Sequence, residues 1–199
     1  MAASLSSAPA VGAAVLSFKK GGVTVTEAGV SSGEEGRAFR IYAETGNGAQ
    51  TGVAIVNASE APERVDFQLT YLDGAPAAST GSLAIPGFGQ RSLFLNQIPG
   101  LDSLSSFKGI LRISSAGQQN IAVVGLRGRF NERGDFLITT TPAVNEDTSG
   151  RETAVFPHIV DGGGYTTQFI TFSGTYTEPA SGNLQLFSQA GENLNITLR

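Results

Sequence analysis

The chain has 199 residues, with 13 Lys and Arg against 17 Asp and Glu, a formal net charge of −4, 26 glycines, one histidine and no cysteine or tryptophan. Its charged fraction of 15% lies well below the roughly 25% of an ordinary soluble domain, while glycine is nearly twice its usual share of about 7%. These values exclude a basic stripe able to neutralise a phosphate backbone, so no nucleic-acid partner is expected, and they exclude disulfides, thiolate metal sites and a thiol nucleophile.

From the N-terminus onward, Met1-Ala-Ala-Ser-Leu-Ser-Ser carries no positive charge, and the apolar stretch that follows is broken by Gly12 and Ser17. It is a poor secretory signal, so an exported protein would take its signal from outside this sequence. No run of about 18 apolar residues occurs, and no membrane insertion is expected. Strands are predicted over 11–18 and 22–27. Phe39, Ile41 and Ala43 then form one apolar face that ends at the turn-prone Thr45-Gly-Asn-Gly48. After a strand over 51–57, Val65, Phe67, Leu69 and Tyr71 alternate with Asp66, Gln68 and Thr70 and stop at Asp73-Gly74, a hairpin signal. A further strand is predicted over 78–85. Phe94, Ile98 and Leu101 have helical spacing, but Pro99-Gly100 limits them to a turn or two. The remaining strands are predicted over 109–114, 120–129, 135–141, 153–160, 166–173, 183–189 and 193–198. Short strands between Gly, Asn, Asp and Pro turns are the pattern of an all-β antiparallel sandwich.

The sequence also resembles itself at an offset of about 115 residues, the kind of period that marks repeated modules. Thr51-Gly-Val-Ala-Ile-Val56 is echoed by Thr166-Thr-Gln-Phe-Ile-Thr171, and Phe67-Gln-Leu69 by Leu184-Gln-Leu186. In the other direction, Gly22 to Val30 is echoed by Phe136 to Val144. The echoes imply one complete copy over 36–150, flanked by closing strands of a split module at 1–35 and opening strands at 151–199. The two pieces together fall short of a copy by two or three strands, so the second module is expected to be incomplete.

Leu194, Ile196 and Leu198 alternate with polar residues to the last position, leaving an apolar strand at an open end. An unpaired strand edge is a template for another strand, and burying three aliphatic side chains adds on the order of 5 kcal/mol at about 1.5–3 kcal/mol each. The expected assembly residues are Val15, Phe18, Val23 and Val25 at the head and Leu184, Leu186, Leu194, Ile196 and Leu198 at the tail. They pair either within one chain or head to tail between copies, the latter propagating into a filament.

Leu16 to Val30, Thr51 to Asn57, Leu95-Asn-Gln-Ile-Pro-Gly100, Asn131-Glu-Arg-Gly-Asp-Phe136 and Phe156-Pro-His-Ile-Val-Asp-Gly-Gly-Gly-Tyr165 resemble large secreted tandem-repeat proteins of environmental bacteria such as acidobacteria. The resemblance implies immunoglobulin-like sandwich modules, an extracellular or cell-surface location, and a structural or adhesive role without enzymatic activity. The expected fold is therefore one complete immunoglobulin-like β-sandwich module plus a second, incomplete one built from the two chain ends. The expected function is a non-enzymatic subunit of an extracellular fibre or surface assembly joined by strand complementation. The alternative is a monomeric adhesive or carbohydrate-binding module with polysaccharide as partner.

Other chemistry is thin. His158, the one imidazole, is with Asp161 a candidate general base, but no Gly-x-Ser-x-Gly nucleophile elbow occurs in the sequence. Asp161-Gly-Gly-Gly164 lacks the Lys of a phosphate loop and reads as a tight turn. Asn131-Glu-Arg-Gly-Asp135 and Asn145-Glu-Asp147 are candidate calcium loops or, more simply, solvated turns, and Arg133-Gly-Asp135 is an adhesion-type tripeptide at a hairpin tip. Asn57-Ala-Ser59 and Asn195-Ile-Thr197 match the glycosylation sequon. No cofactor and no metal site is expected.

Overall fold

The computed structural model describes residues 12–148, 153–175 and 180–194, and is all-β and antiparallel. The strands are β1 (Ala13–Lys20), β2 (Val23–Ser31), β3 (Glu35–Gly36), β4 (Ala38–Gly46), β5 (Ala49–Asn57), β6 (Glu63–Tyr71), β7 (Pro76–Ile85), β8 (Gln90–Phe94), β9 (Phe107–Ser115), β10 (Ile121–Phe130), β11 (Phe136–Thr141) and β12 (Val144–Asn145). β1 and β2 form a sheet of their own. The other ten strands form one sheet with the order β11-β10-β5-β4-β9-β6-β7, in which β12 joins β4, β3 joins β10 and β8 joins β5.

β4 and β5 pair only at their hairpin, Thr45 with Gln50 and Gly46 with Ala49. Asn47 and Gly48 both have positive φ (52° and 79°), as a type I′ turn requires. Beyond the turn β4 runs beside β9 and β12, while β5 runs beside β10 and β8. The strands thus divide into two sets that meet across one core, a sandwich-like arrangement. Phe39 and Ile41 of β4, Val53 and Ile55 of β5, Phe67 of β6 and Leu111 of β9 belong to that core.

The period-two pattern places each of these side chains. In β6, Val65, Phe67 and Leu69 are buried and Asp66, Gln68 and Thr70 half-buried, and the strand stops at a turn where Gly74 takes φ 88°. Phe94 to Leu101 becomes a single 3₁₀ turn, Leu95–Gln97, with Gln97 Oε1 accepting the Phe94 N–H at 2.8 Å. Leu95, Ile98 and Leu101 seal the core there. The same loop covers the outer edge of β7: Ser82 N–H donates to Pro99 O at 3.2 Å, and a Cβ on Gly100 would lie 2.3 Å from Thr80 O. Covering an edge in this way prevents strand addition to it.

The structure corrects the sequence reading at the C-terminal side. Strands predicted over 153–160, 166–173 and 183–189 do not form, and the one over 193–198 lies mostly outside the described residues. Among the described residues there, only the bridges Gly162–Tyr165 and Phe187–Asn193 occur. Alternation specifies which face a strand would bury, whereas a strand exists only where a neighbour supplies a ladder, and no described strand offers one to these segments. β8, where no strand is predicted from the sequence, pairs five residues with β5 despite the polar start Gln90-Arg-Ser.

Two buried polar residues fix loops. Asn57 Nδ2 donates to Ala61 O (2.7 Å), Ile85 O (3.3 Å) and Pro86 O (3.2 Å), and its Oδ1 accepts the Ser59 N–H (3.0 Å) and hydroxyl (2.7 Å). Glu63 accepts the N–H groups of Gly117 (2.8 Å) and Gln119 (3.3 Å), fixing the β9–β10 loop in which Gln118 has φ 65°. Burial pushes the Glu63 carboxyl up, but the donors from Gly117, Ser115, Gln119 and Arg64 outweigh it and hold its pKa below the usual value. Asp147 is lowered as well, by the side-chain and backbone donors of Arg37.

Two outcomes follow. Asn57→Ala is expected to lower stability by about 2–3 kcal/mol in urea unfolding, since it strands several buried carbonyls and an amide. Because Glu63 and Asp147 have folded-state pKa values below their unfolded ones, their contribution is full above pH 4.5 and fades as pH falls through the folded values. Unfolding midpoints measured from pH 7 to pH 2.5 are expected to drop in that acid window, and Glu63→Gln is expected to flatten the drop.

Candidate interaction site at the chain ends

The head is the β1–β2 hairpin. Its ladder runs from Ala13–Ser31 to Lys20–Val23, turns through Gly21 and Gly22 at φ 57° and 83°, and leaves Val25 unpaired at a bulge. β2 lies against β11, the edge of the large sheet, through side chains and without a backbone ladder. Thr26 Oγ1 donates to Ile138 O (3.1 Å) and accepts the Ile138 N–H (3.2 Å), and Thr140 Oγ1 donates to Gly29 O (2.6 Å). Lys20 Nζ lies 3.8 Å from Asp135. Ala28 is buried in this seam. On the far side, no described strand pairs with β1, so its outer edge presents free N–H and C=O groups.

Of the head residues expected from the sequence, Val15 (70% exposed), Val23 (68%) and Phe18 (49%) face solvent, and Val25 is half-buried. Leu16, which the sequence reading did not single out, is also exposed. At the tail, Leu194 N–H donates to Leu186 O at 2.8 Å across a turn centred on Ser188 to Glu192, so these two expected residues come together, and Leu184 stays exposed nearby. Ile196 and Leu198 lie outside the described residues. Val155, Phe156, Ile159, Tyr165 and Phe187 are exposed on the same tail. No ladder joins head to tail among the described residues.

The tail reaches the sheet at Arg40. This side chain projects from β4, is only 6% exposed, and Nη1 donates to Ser173 O (2.8 Å) and Thr175 O. Behind it, Glu146 accepts from Arg112 Nε (2.9 Å) and Nη2 (2.8 Å) and lies 4.0 Å from Arg40 Nε. A cleft of about 1730 Å³ separates the tail from the sheet. Ala54 and Val56 of β5 and Ala122 and Val124 of β10 line one side, and Ile170 and Phe172 the other. Tyr42, at its rim, has its hydroxyl pKa raised by burial and by Glu44, which accepts its hydrogen bond at 3.3 Å and also that of Arg127.

The other sequence candidates are placed as follows. His158 and Asp161 are both exposed, and Gly162 to Gly164 make a tight turn at φ 117°, 59° and 89°. Arg133-Gly-Asp135 sits at the β10–β11 hairpin tip, where Asn131 Oδ1 accepts the N–H groups of Arg133 (2.9 Å) and Asp135 (2.8 Å). In Asn145-Glu-Asp147, the two carboxylates are engaged by Arg112 and Arg37. Asn57 is 1% exposed, so that sequon is a structural hub. Sequence reasoning missed Arg40, Arg112 and Glu63. The signal available was a charged residue at an alternation position in the strand patterns Phe-Arg-Ile-Tyr and Leu-Arg-Ile-Ser.

No protein-family model matches the chain, and no curated protein does. Two solved structures are similar to parts of it. Thermotoga maritima 1070 has a TM-score of 0.41 at 12% identity over 55% of this chain and 94% of that one. The Anabaena sensory rhodopsin transducer has 0.35 at 20% identity over 47% and 96%. Likeness at these scores supports no assignment.

The seam geometry carries an expected outcome. Thr26→Val removes both bonds to Ile138 without changing shape, at a cost of about 1 kcal/mol. Amide exchange in 13–31 is expected to speed up while that of β4–β10 stays as it was.

Proposed function

We propose that the protein is a non-enzymatic structural module of an extracellular assembly, joined to its neighbours by strand complementation between immunoglobulin-like sandwich modules. The observation that supports this is the mismatch at the two ends. The described part of an apolar tail with period-two alternation runs without a ladder, while β1 has no described strand on its outer edge, beside exposed Val15, Phe18 and Val23. In the large sheet, by contrast, the β7 edge is covered by the loop through Pro99. An alternating segment and an open edge are the two halves of a strand-addition contact, in which the backbone supplies affinity and alternate side chains supply selectivity. The weakly charged surface favours such contact because little charge must be desolvated. In this reading the split modules at 1–35 and 151–199 are completed by neighbouring copies, and the complete module over 36–150 is the spacer between joints.

A second reading, adhesion to polysaccharide, is favoured by Phe88. It is 67% exposed, holds φ 53° between Gly87 and Gly89, and donates its N–H to Ser59 O at 2.8 Å. A large side chain held rigidly in the left-handed region and in solvent is a stacking platform for a sugar ring.

Light scattering of the purified chain over a concentration series, followed by negative-stain micrographs, separates the readings. The expected result is concentration-dependent growth into linear particles. The double variant V15D/F18D is expected to need at least ten times more protein to reach the same mass. A chain that stays monomeric throughout and binds glycans through Phe88, with binding lost in Phe88→Ala, would favour the second reading.

A further inference from the structure

We infer that Asn47 is a self-modification site: its carboxamide is lost to attack by the backbone nitrogen of Gly48, and the isoaspartate that results unlocks the hairpin joining the two sets of strands. Three observations carry it. First, Asn47-Gly48 is the one Asn-Gly step in the sequence, and both residues are exposed at the tip of the β4–β5 turn. Asparagine amides are among the thermolabile groups of proteins, and glycine, with no Cβ, presents the least shielded backbone nitrogen. Second, both reacting groups are unengaged. Among the described residues the Asn47 carboxamide makes no hydrogen bond and the Gly48 N–H donates none, whereas the Gly48 carbonyl accepts the Phe130 N–H at 3.1 Å. Other turn asparagines are occupied: Asn131 Oδ1 accepts the N–H groups of Arg133 and Asp135, and Asn57 is buried and bonded through both its amide nitrogen and its oxygen.

Third, little holds the turn shut. The attack brings the Asn47 side-chain carbon onto the Gly48 nitrogen, which requires rotation within the turn. β4 and β5 pair there only through Thr45–Gln50 and Gly46–Ala49, so the turn frees itself by breaking these pairs and the Phe130 bond, a local opening far smaller than unfolding. The chemistry balances with water alone. The Gly48 nitrogen bonds to Asn47 Cγ and gives up its proton, the Cγ–N bond of the amide breaks, and ammonia leaves with that proton. The cyclic imide then takes up water. Cleavage on the Cγ side yields aspartate, and cleavage at the backbone carbonyl yields isoaspartate, in which the main chain runs through the side-chain methylene. Aspartate tolerates the left-handed φ of 52° found here. Isoaspartate adds a backbone carbon to a loop whose register depends on its two-residue length, so both pairs are lost and β4 separates from β5 at the turn itself.

The test incubates the folded, full-length chain at mildly alkaline pH and follows each asparagine by peptide mapping. The tryptic peptide 41–64 carries Asn47 together with Asn57, which serves as an internal reference resolved by fragmentation. Conversion of amide to acid is expected at Asn47 at least ten times faster than at any other asparagine, with isoaspartate the larger product. In the converted pool, purified by its added negative charge, amides of 45–50 are expected to exchange at least ten times faster than in the starting protein. Asn47→Asp, which carries the charge without the extra backbone carbon, is expected to keep the starting exchange rates. Asn47→Gly, whose Gly-Gly turn suits the same backbone, is expected to keep the urea midpoint and to show no loosening on incubation. An Asn47 amide that survives as well as the others overturns the inference. So does a converted pool that exchanges as slowly as Asn47→Asp, or an Asn47→Gly chain that loosens at the wild-type rate.

Discussion

After a two-pair hairpin, β4 and β5 part company, and the rest of the molecule depends on that parting. One strand goes to β9 and β12, the other to β10 and β8, and the apolar faces of both sets close on Phe39, Ile41, Val53, Ile55, Phe67 and Leu111. The divergence starts where Gly46, Asn47 and Gly48 take positive φ, conformations that a β-branched residue would resist. Because the sets separate immediately, β4 is left with a long stretch that has no β5 neighbour. Its outward side is where Arg40 emerges and where the tail comes to rest.

The core was legible because its signal is local. Val65, Phe67 and Leu69 announce a strand and its inner face, and Asp73-Gly74 announces the turn that ends it, without reference to anything distant. Loop-fixing side chains are a different matter. Nothing in the neighbourhood of Glu63 indicates that its carboxylate will cap a loop more than fifty positions away, and Arg40 looks like any charged residue at an outward strand position. Such roles arise from pairings between distant parts of the chain, which periodicity does not encode.

The misreading of 153–194 has the same origin. Alternation there names apolar positions, and Val155, Phe156, Ile159, Leu184, Phe187 and Leu194 among them stay exposed; what alternation leaves unsaid is whether a neighbour exists to cover them. Within the tail, Phe156 and Phe169 meet edge to face at 5.2 Å. Head and tail differ in how they are held. β1 and β2 satisfy one another and lean on β11 through threonines, whereas the tail is anchored through a guanidinium and two carbonyls. A hairpin can carry a free edge indefinitely. A lone extended segment holds its position only as well as its anchor.

Asn57 has a consequence for making the protein. Its amide is consumed by Ala61, Ile85, Pro86 and Ser59 inside the fold, yet Asn57-Ala-Ser59 is an acceptor sequence for oligosaccharyltransferase while the chain is still unfolded. In a eukaryotic secretory host, sugar transfer and folding therefore compete for one side chain, and every molecule modified first loses the hub on which the loop between β5 and β6 is built. Production in a bacterial host without that enzyme avoids the competition.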